Sequence, residues 1–113
     1  MSNPAPISVA LSEVAEGKMH ALSRDGRELV ICRTKEGVYA LDNICTHAYA
    51  RLNEGRLRGT RLICPLHGAA FDVRDGRVLG APATRPLATH AVNVVDDRIE
   101  ITVAPSQPNS LAL

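Results

Sequence analysis

The chain has 113 residues, a formal net charge of +1 and three aromatic side chains, none of them Trp. Such a length suits one domain with its own core, near-neutrality argues against general nucleic-acid binding, and so few aromatics leave no base-stacking platform. No stretch approaches the roughly 20 apolar residues of a membrane span, and Met1 to Ile7 lacks both a basic residue and a long apolar run, so it reads as neither signal peptide nor anchor.

In chain order, Ile7 to Leu11 alternates as an edge strand would, and Ser12 to Gly17 reads as one helical turn stopped by glycine. Met19 to Leu22 is a second short strand. Asp25-Gly26 is a strong two-residue hairpin signal leading into the strand Glu28 to Arg33. Lys35-Glu36-Gly37 turns the chain into the strand Val38 to Asp42. The section from about 43 to 88 is patterned differently, with a hairpin through Gly59-Thr60, a turn at Asp75-Gly76 and a Gly- and Pro-containing stretch from Gly80 to Pro86. Ala88 to Val95 and Arg98 to Val103, joined by Asp96-Asp97, form a last hairpin returning to the first sheet. Ala104 to Leu113 reads as a mobile tail.

The middle section holds the chemistry. Cys45-Thr46-His47 is followed, sixteen residues later, by Cys64-Pro65-Leu66-His67. Each half supplies one soft thiolate and one imidazole, a donor set for a metal. Structural zinc sites usually open with a Cys-X2-4-Cys knuckle, which is absent here. One Cys and one His per half suits a two-iron cluster in which one iron takes both thiolates and the other both imidazoles; a structural zinc module stays as the alternative. Cys32, within Glu28 to Arg33, reads as a buried structural thiol, and His20 and His90 have no partner at ligand spacing. With two of three cysteines committed to metal, none is left to pair within the chain, which fits a reducing cytosol.

These motifs resemble the Rieske-type ferredoxins, small electron carriers of bacterial ring-hydroxylating dioxygenase systems. The resemblance runs from about residue 5 to 103 and extends to Leu52 and Gly55 after the first pair, to Gly68, Phe71, Asp72 and Gly76 after the second, and to Pro82 and Pro86-Leu87 in a proline loop that covers the cluster. It implies an all-β Rieske-like sandwich or partly open barrel. Residues 1–104 would form one domain, with a base of about 5–42 and 88–103 and an inserted cluster-binding lobe of about 43–88; residues 105–113 would be the tail. It also implies one 2Fe-2S cluster, with Cys45 and Cys64 on the inner iron, His47 and His67 on the outer one, and amides around Ala48 and Leu66 donating to sulfur. Respiratory Rieske proteins, which resemble the chain more distantly, carry an extra Cys in each loop; here those positions are Ala50 and Leu66.

The resemblance implies an electron carrier rather than an enzyme, since 113 residues leave no room for a mononuclear iron domain. Its partners would be a nicotinamide-dependent flavoprotein reductase and a terminal oxygenase, and it would be a cytoplasmic monomer. Two neighbouring readings remain, a carrier for a nonaromatic oxygenase and a small Rieske-like subunit of an assimilatory nitrite reductase. Residues 43–88 carry seven arginines against three carboxylates, a local excess of +4, so that end, with Arg51 and Arg85 as candidates, is expected to dock acidic partner surfaces. Where respiratory Rieske proteins place Ser and Tyr hydroxyls near the cluster, this chain has Ala69 and Phe71. The reduction potential is therefore expected near the low end of the Rieske range, around −150 mV.

Overall fold

The structure is a computed structural model that describes residues 6–46 and 49–105. Among the described residues, ten strands form two antiparallel sheets. Six of them, β1 (Ile7–Ala10), β2 (Met19–Arg24), β3 (Arg27–Arg33), β4 (Val38–Asp42), β9 (Thr89–Val95) and β10 (Arg98–Thr102), make the base in the order β1-β10-β9-β4-β3-β2. The base curls into a half-barrel. The other four, β5 (Arg56–Arg58), β6 (Arg61–Ile63), β7 (Ala70–Asp72) and β8 (Val78–Gly80), make a small sheet in sequence order.

The base hinges on β9. It pairs with β10 from Ala91 to Val95 but meets β4 only at Ala40↔His90 and Leu41↔Thr89. The β2–β3 hairpin turns at Asp25-Gly26 as expected, with φ of 53° and 82°; two positive φ values define the type I′ geometry that matches strand twist.

β3 and β4 form the wall between base and lobe. Leu29 to Cys32 is buried without a break, because both faces of β3 are covered. Successive side chains point to opposite faces, so Val30 and Cys32 pack with Leu52, Leu62, Phe71, Val73 and Leu87 of the lobe. Ile31 and Ala40 instead face Val14, Ile99 and Ile101 inside the base. Leu52, Leu62 and Phe71 are fully buried, and side chains of this size contribute about 1.5–3 kcal/mol each by leaving water. The lobe thus has a hydrophobic floor of its own.

Several local expectations are corrected. After β1 the chain makes a 3-10 turn at Leu11–Glu13, not a helical turn to Gly17; Gly17 belongs to a separate turn, its N–H donating to the Arg33 carbonyl at 2.7 Å. β2 runs two residues further than expected, to Arg24, because every residue finds a partner on β3. The tail does not loosen at Ala104. Its N–H donates to Nδ1 of buried His90 at 2.9 Å, and its carbonyl accepts from the Arg27 guanidinium. Residues 106–113 lie outside the described residues.

Candidate metal centre

The two ligand loops close in the same way. The N–H of Cys45 donates to the carbonyl of Ala50 at 2.9 Å, and that of Cys64 to the carbonyl of Ala69 at 2.7 Å, each spanning five residues. The first loop leaves β4 and the second joins β6 to β7, so both grow from strands resting on the shared core. Cys45 and Cys64 are 5% and 2% exposed. Burial pushes the Cys64 thiol up from its ordinary range, the N–H of Leu66 directed at its sulfur works the other way, and the Cys45 thiol hydrogen-bonded beside it raises it again. Two thiols sharing one buried pocket, with a backbone donor already aimed at sulfur, fit a thiolate-bound iron.

His67 sits at the opposite extreme of exposure. It lies outside the core with φ of 63°, in the left-handed region, followed by Gly68 at 74°. A non-glycine residue there costs roughly 1–2 kcal/mol. Strain of this kind persists where the surroundings impose it, commonly at functional positions. The turn lifts the imidazole onto the surface beside Leu66, itself 42% exposed. His47 and Ala48 lie outside the described residues, and among the described residues no three His, Cys, Asp or Glu side chains converge as a metal-binding group.

The remaining predicted residues divide clearly. Ala69 and Phe71 are fully buried under the second loop, and neither side chain carries a hydroxyl. Pro82 is exposed on the neighbouring loop, after a cis peptide with Ala81. Arg85 is exposed, and its backbone carbonyl accepts the Thr46 hydroxyl at 2.7 Å, which ties the proline loop to the first ligand loop. Arg51 is held by Glu28 through two bonds of 2.7 and 3.2 Å, leaving its guanidinium less available for docking than the sequence suggested. Cys32, remote from the ligands in sequence, lies in the same hydrophobic cluster as Cys45 and Cys64. Burial pushes its thiol up to about 12, which keeps it inert. His90 is structural, bonded to Asp42 at 2.9 Å on one ring nitrogen and to Ala104 on the other.

Sequence reasoning missed Asn43, which is 1% exposed and organises the first loop. Its side chain donates to Asn53 at 2.7 Å and accepts from the Asn53 N–H at 2.9 Å, while its carbonyl accepts from Leu52 and its N–H reaches Glu28. Gly55 is fixed by sterics: a Cβ there would run into the carbonyl of Ile63, the residue before Cys64. Its motif position marked it, but the close approach emerges only from the fold.

An all-β base carrying two short loops, which place paired thiols inside and an imidazole at the rim, defines an iron-sulfur protein of the mixed thiolate-imidazole class. The Rieske [2Fe-2S] domain matches residues 6–91, and the chain belongs to that family. It is 39% identical to the ferredoxin component of the naphthalene 1,2-dioxygenase system of Pseudomonas aeruginosa, over 86% of this chain and 93% of that relative. Among solved structures it resembles the ferredoxin of carbazole 1,9a-dioxygenase from Nocardioides aromaticivorans, at a TM-score of 0.83 and 31% identity, covering 88% of this chain and 98% of that one. A chain from the complex of reduced oxygenase and oxidized ferredoxin in carbazole 1,9a-dioxygenase matches at a TM-score of 0.84 and 33% identity, covering 88% and 94%. The protein is a Rieske-type ferredoxin, an electron-transfer component with a 2Fe-2S cluster rather than a catalytic subunit.

Proposed function

We propose that the protein is the cytoplasmic shuttle of a ring-hydroxylating dioxygenase system, and that Cys45, Cys64, His47 and His67 hold its cluster. Electrons would arrive from a nicotinamide-dependent flavoprotein reductase and leave to a terminal oxygenase. The observation that carries the ligand assignment is the pairing of two buried thiols at the ends of identically closed loops, with His67 lifted to the rim. When bound, the cluster supplies a one-electron couple at moderate potential.

The chain's own residues divide the remaining work. Cys45 and Cys64 are walled from water by Leu52, Leu62 and Phe71, so the thiolate side is rigid and dry. His67 and the exposed Leu66 form the rim through which an electron can pass to a docked partner. Thr46 joins the first loop to the proline loop. A cytoplasmic site is supported by the absence of a disulfide among Cys32, Cys45 and Cys64, which fits a reducing compartment.

Iron and acid-labile sulfide analysis, with visible and EPR spectra before and after one-electron reduction, tests this reading. Equimolar iron and sulfide, and an EPR signal that appears on reduction, are expected. A colourless protein containing zinc and no sulfide overturns it.

A further inference from the structure

Of the lobe's seven arginines, Arg51, Arg74 and Arg77 are neutralised by Glu28, Asp72, Glu36 and Asp75. Arg56, Arg58, Arg61 and Arg85 make no ion pair among the described residues. Two of them, Arg56 and Arg58, project from alternate positions of β5 on the exposed side, while Leu57 between them is half-buried. They line an open groove together with exposed Lys18 of the base, and no carboxylate lines that groove. Arg58 also stands directly across from Arg61 in the hairpin, and like charges so placed repel.

The groove leads to the metal centre. It shares Gly55 and Arg56 with a second trough that is lined by Cys64, Pro65 and Gly68 of the second ligand loop and by one acid, Glu54. A segment seated between Lys18 and Arg58 is therefore carried along the surface toward His67. Backbone fixes the floor at the shared point, since Gly55 lies against the Ile63 carbonyl.

We propose that the groove lined by Lys18, Arg56 and Arg58 is the docking site for an acidic surface segment of the electron donor, the flavoprotein reductase. Charge complementarity selects an acidic occupant, and the direction of electron flow selects the donor. Reduction adds one negative charge at the ligand loops, so an acidic occupant binds the oxidised form better. For charges on the order of 10 Å apart in water this preference is about twofold. A donor must find the oxidised carrier and release the reduced one; an acceptor needs the reverse. The inference rests on the carrier reading proposed above.

The probe is the flavoprotein purified from the source organism by its ability to reduce the oxidised holoprotein with a nicotinamide nucleotide. Its affinity is measured by calorimetry at low ionic strength. Arg56→Gln and Arg58→Gln are each expected to weaken binding about two- to fivefold, the range for one exposed charge pair. The triple variant with Lys18→Gln should weaken it tenfold or more, all with intact cluster spectra. Arg98→Gln, an equal charge loss on β10 of the base, should change it little, and moderate salt should erase the differences. Dithionite-reduced holoprotein should bind more weakly than oxidised, and this gap should narrow in the triple variant. Groove variants that bind like wild type, an Arg98→Gln loss of equal size, or tighter binding of the reduced form each overturn the proposal. So does a deficit confined to electron delivery to the oxygenase. If no flavoprotein reduces the wild-type holoprotein, the carrier reading itself fails and this inference falls with it.

Discussion

Replacing Asp72 with Asn should separate the electrostatic support of the lobe from its hydrophobic floor. Asp72 lies on β7, and its side chain is 2% exposed. Oδ1 accepts from the Arg74 backbone N–H at 2.9 Å and from Nε of Arg74 at 3.0 Å, while Oδ2 lies 2.8 Å from a second Arg74 nitrogen and 3.3 Å from Arg77. The Arg74 side chain is the main reason the carboxyl is pulled down to about 2 from 3.8; burial opposes it, and the Arg74 amide and Arg77 assist. At 1.36 kcal/mol per pKa unit that difference sets an upper bound of about 2.4 kcal/mol. Because Arg74 and Arg77 are about half exposed, solvent screening reduces it to roughly 1–2 kcal/mol.

The sign is fixed by the folded-state value lying below the unfolded one. The contribution is complete above about pH 5, roughly half lost near pH 3, and gone once the pH falls below about 2. Urea unfolding followed by far-UV circular dichroism should show Asp72→Asn less stable than wild type by about 1–2 kcal/mol at pH 7, with m unchanged. The gap should be the same at pH 5 and smaller at pH 3, measured within seconds of acidification so that cluster loss does not intrude. Equal midpoints at pH 7, or a gap that widens as pH falls, would refute the reasoning.

Changing His47 or His67 to Ala should abolish the cluster, whereas either change to Cys should retain some and lower the potential by adding negative charge; iron content and voltammetry check both. Wild type should titrate near −150 mV, and Ala69→Ser should raise that by roughly 60 mV if a hydroxyl directed at sulfur strengthens its bond by about 1.4 kcal/mol on reduction. A wild-type potential well above zero, or a downward shift with the cluster intact, contradicts the donor argument. Thr46→Val loses the hydroxyl that binds the Arg85 carbonyl, so the cluster should bleach faster in air and the lobe lose about 1 kcal/mol. Thr46→Ser should behave as wild type in the same bleaching assay.

Features that depend on neighbours in sequence were legible before the fold was known. Asp25-Gly26 turns as expected because both residues tolerate the positive φ that the hairpin needs, and the paired Cys-X-His and Cys-X-X-His spacing pointed to the 2Fe-2S cluster of the family that the chain belongs to. Features that depend on tertiary juxtaposition were not. Arg51 meets Glu28 across 23 residues, and Thr46 meets Arg85 across 39. No local pattern distinguishes these from exposed side chains, which is why Arg51 was singled out for docking while Arg56 and Arg58 counted only toward the lobe's excess charge. Ala104 looked like tail because alanine announces no bond, yet both of its backbone groups are held by His90 and Arg27. The edge of Leu11–Glu13 was misjudged for a related reason: the N–H of Leu11 is taken by the Asp97 carbonyl from the distant β9–β10 turn.

The two ligand loops share one closure but are braced differently, and the difference bears on electron transfer. The first is fixed from outside, by Asn43 to Asn53, by Thr46 to Arg85 and by Arg51 to Glu28. The second draws on the left-handed backbone of His67 and Gly68 and on Ala69 and Phe71 packed beneath. A group that gains and loses an electron rapidly needs ligands that do not move between states, and rigid support around the first coordination sphere supplies that. Polar bonds brace the first loop and packing supports the second, with Leu66 and His67 exposed at its tip. Leu66 and His67 are thus presented to solvent above thiols that are buried and backed by the shared core.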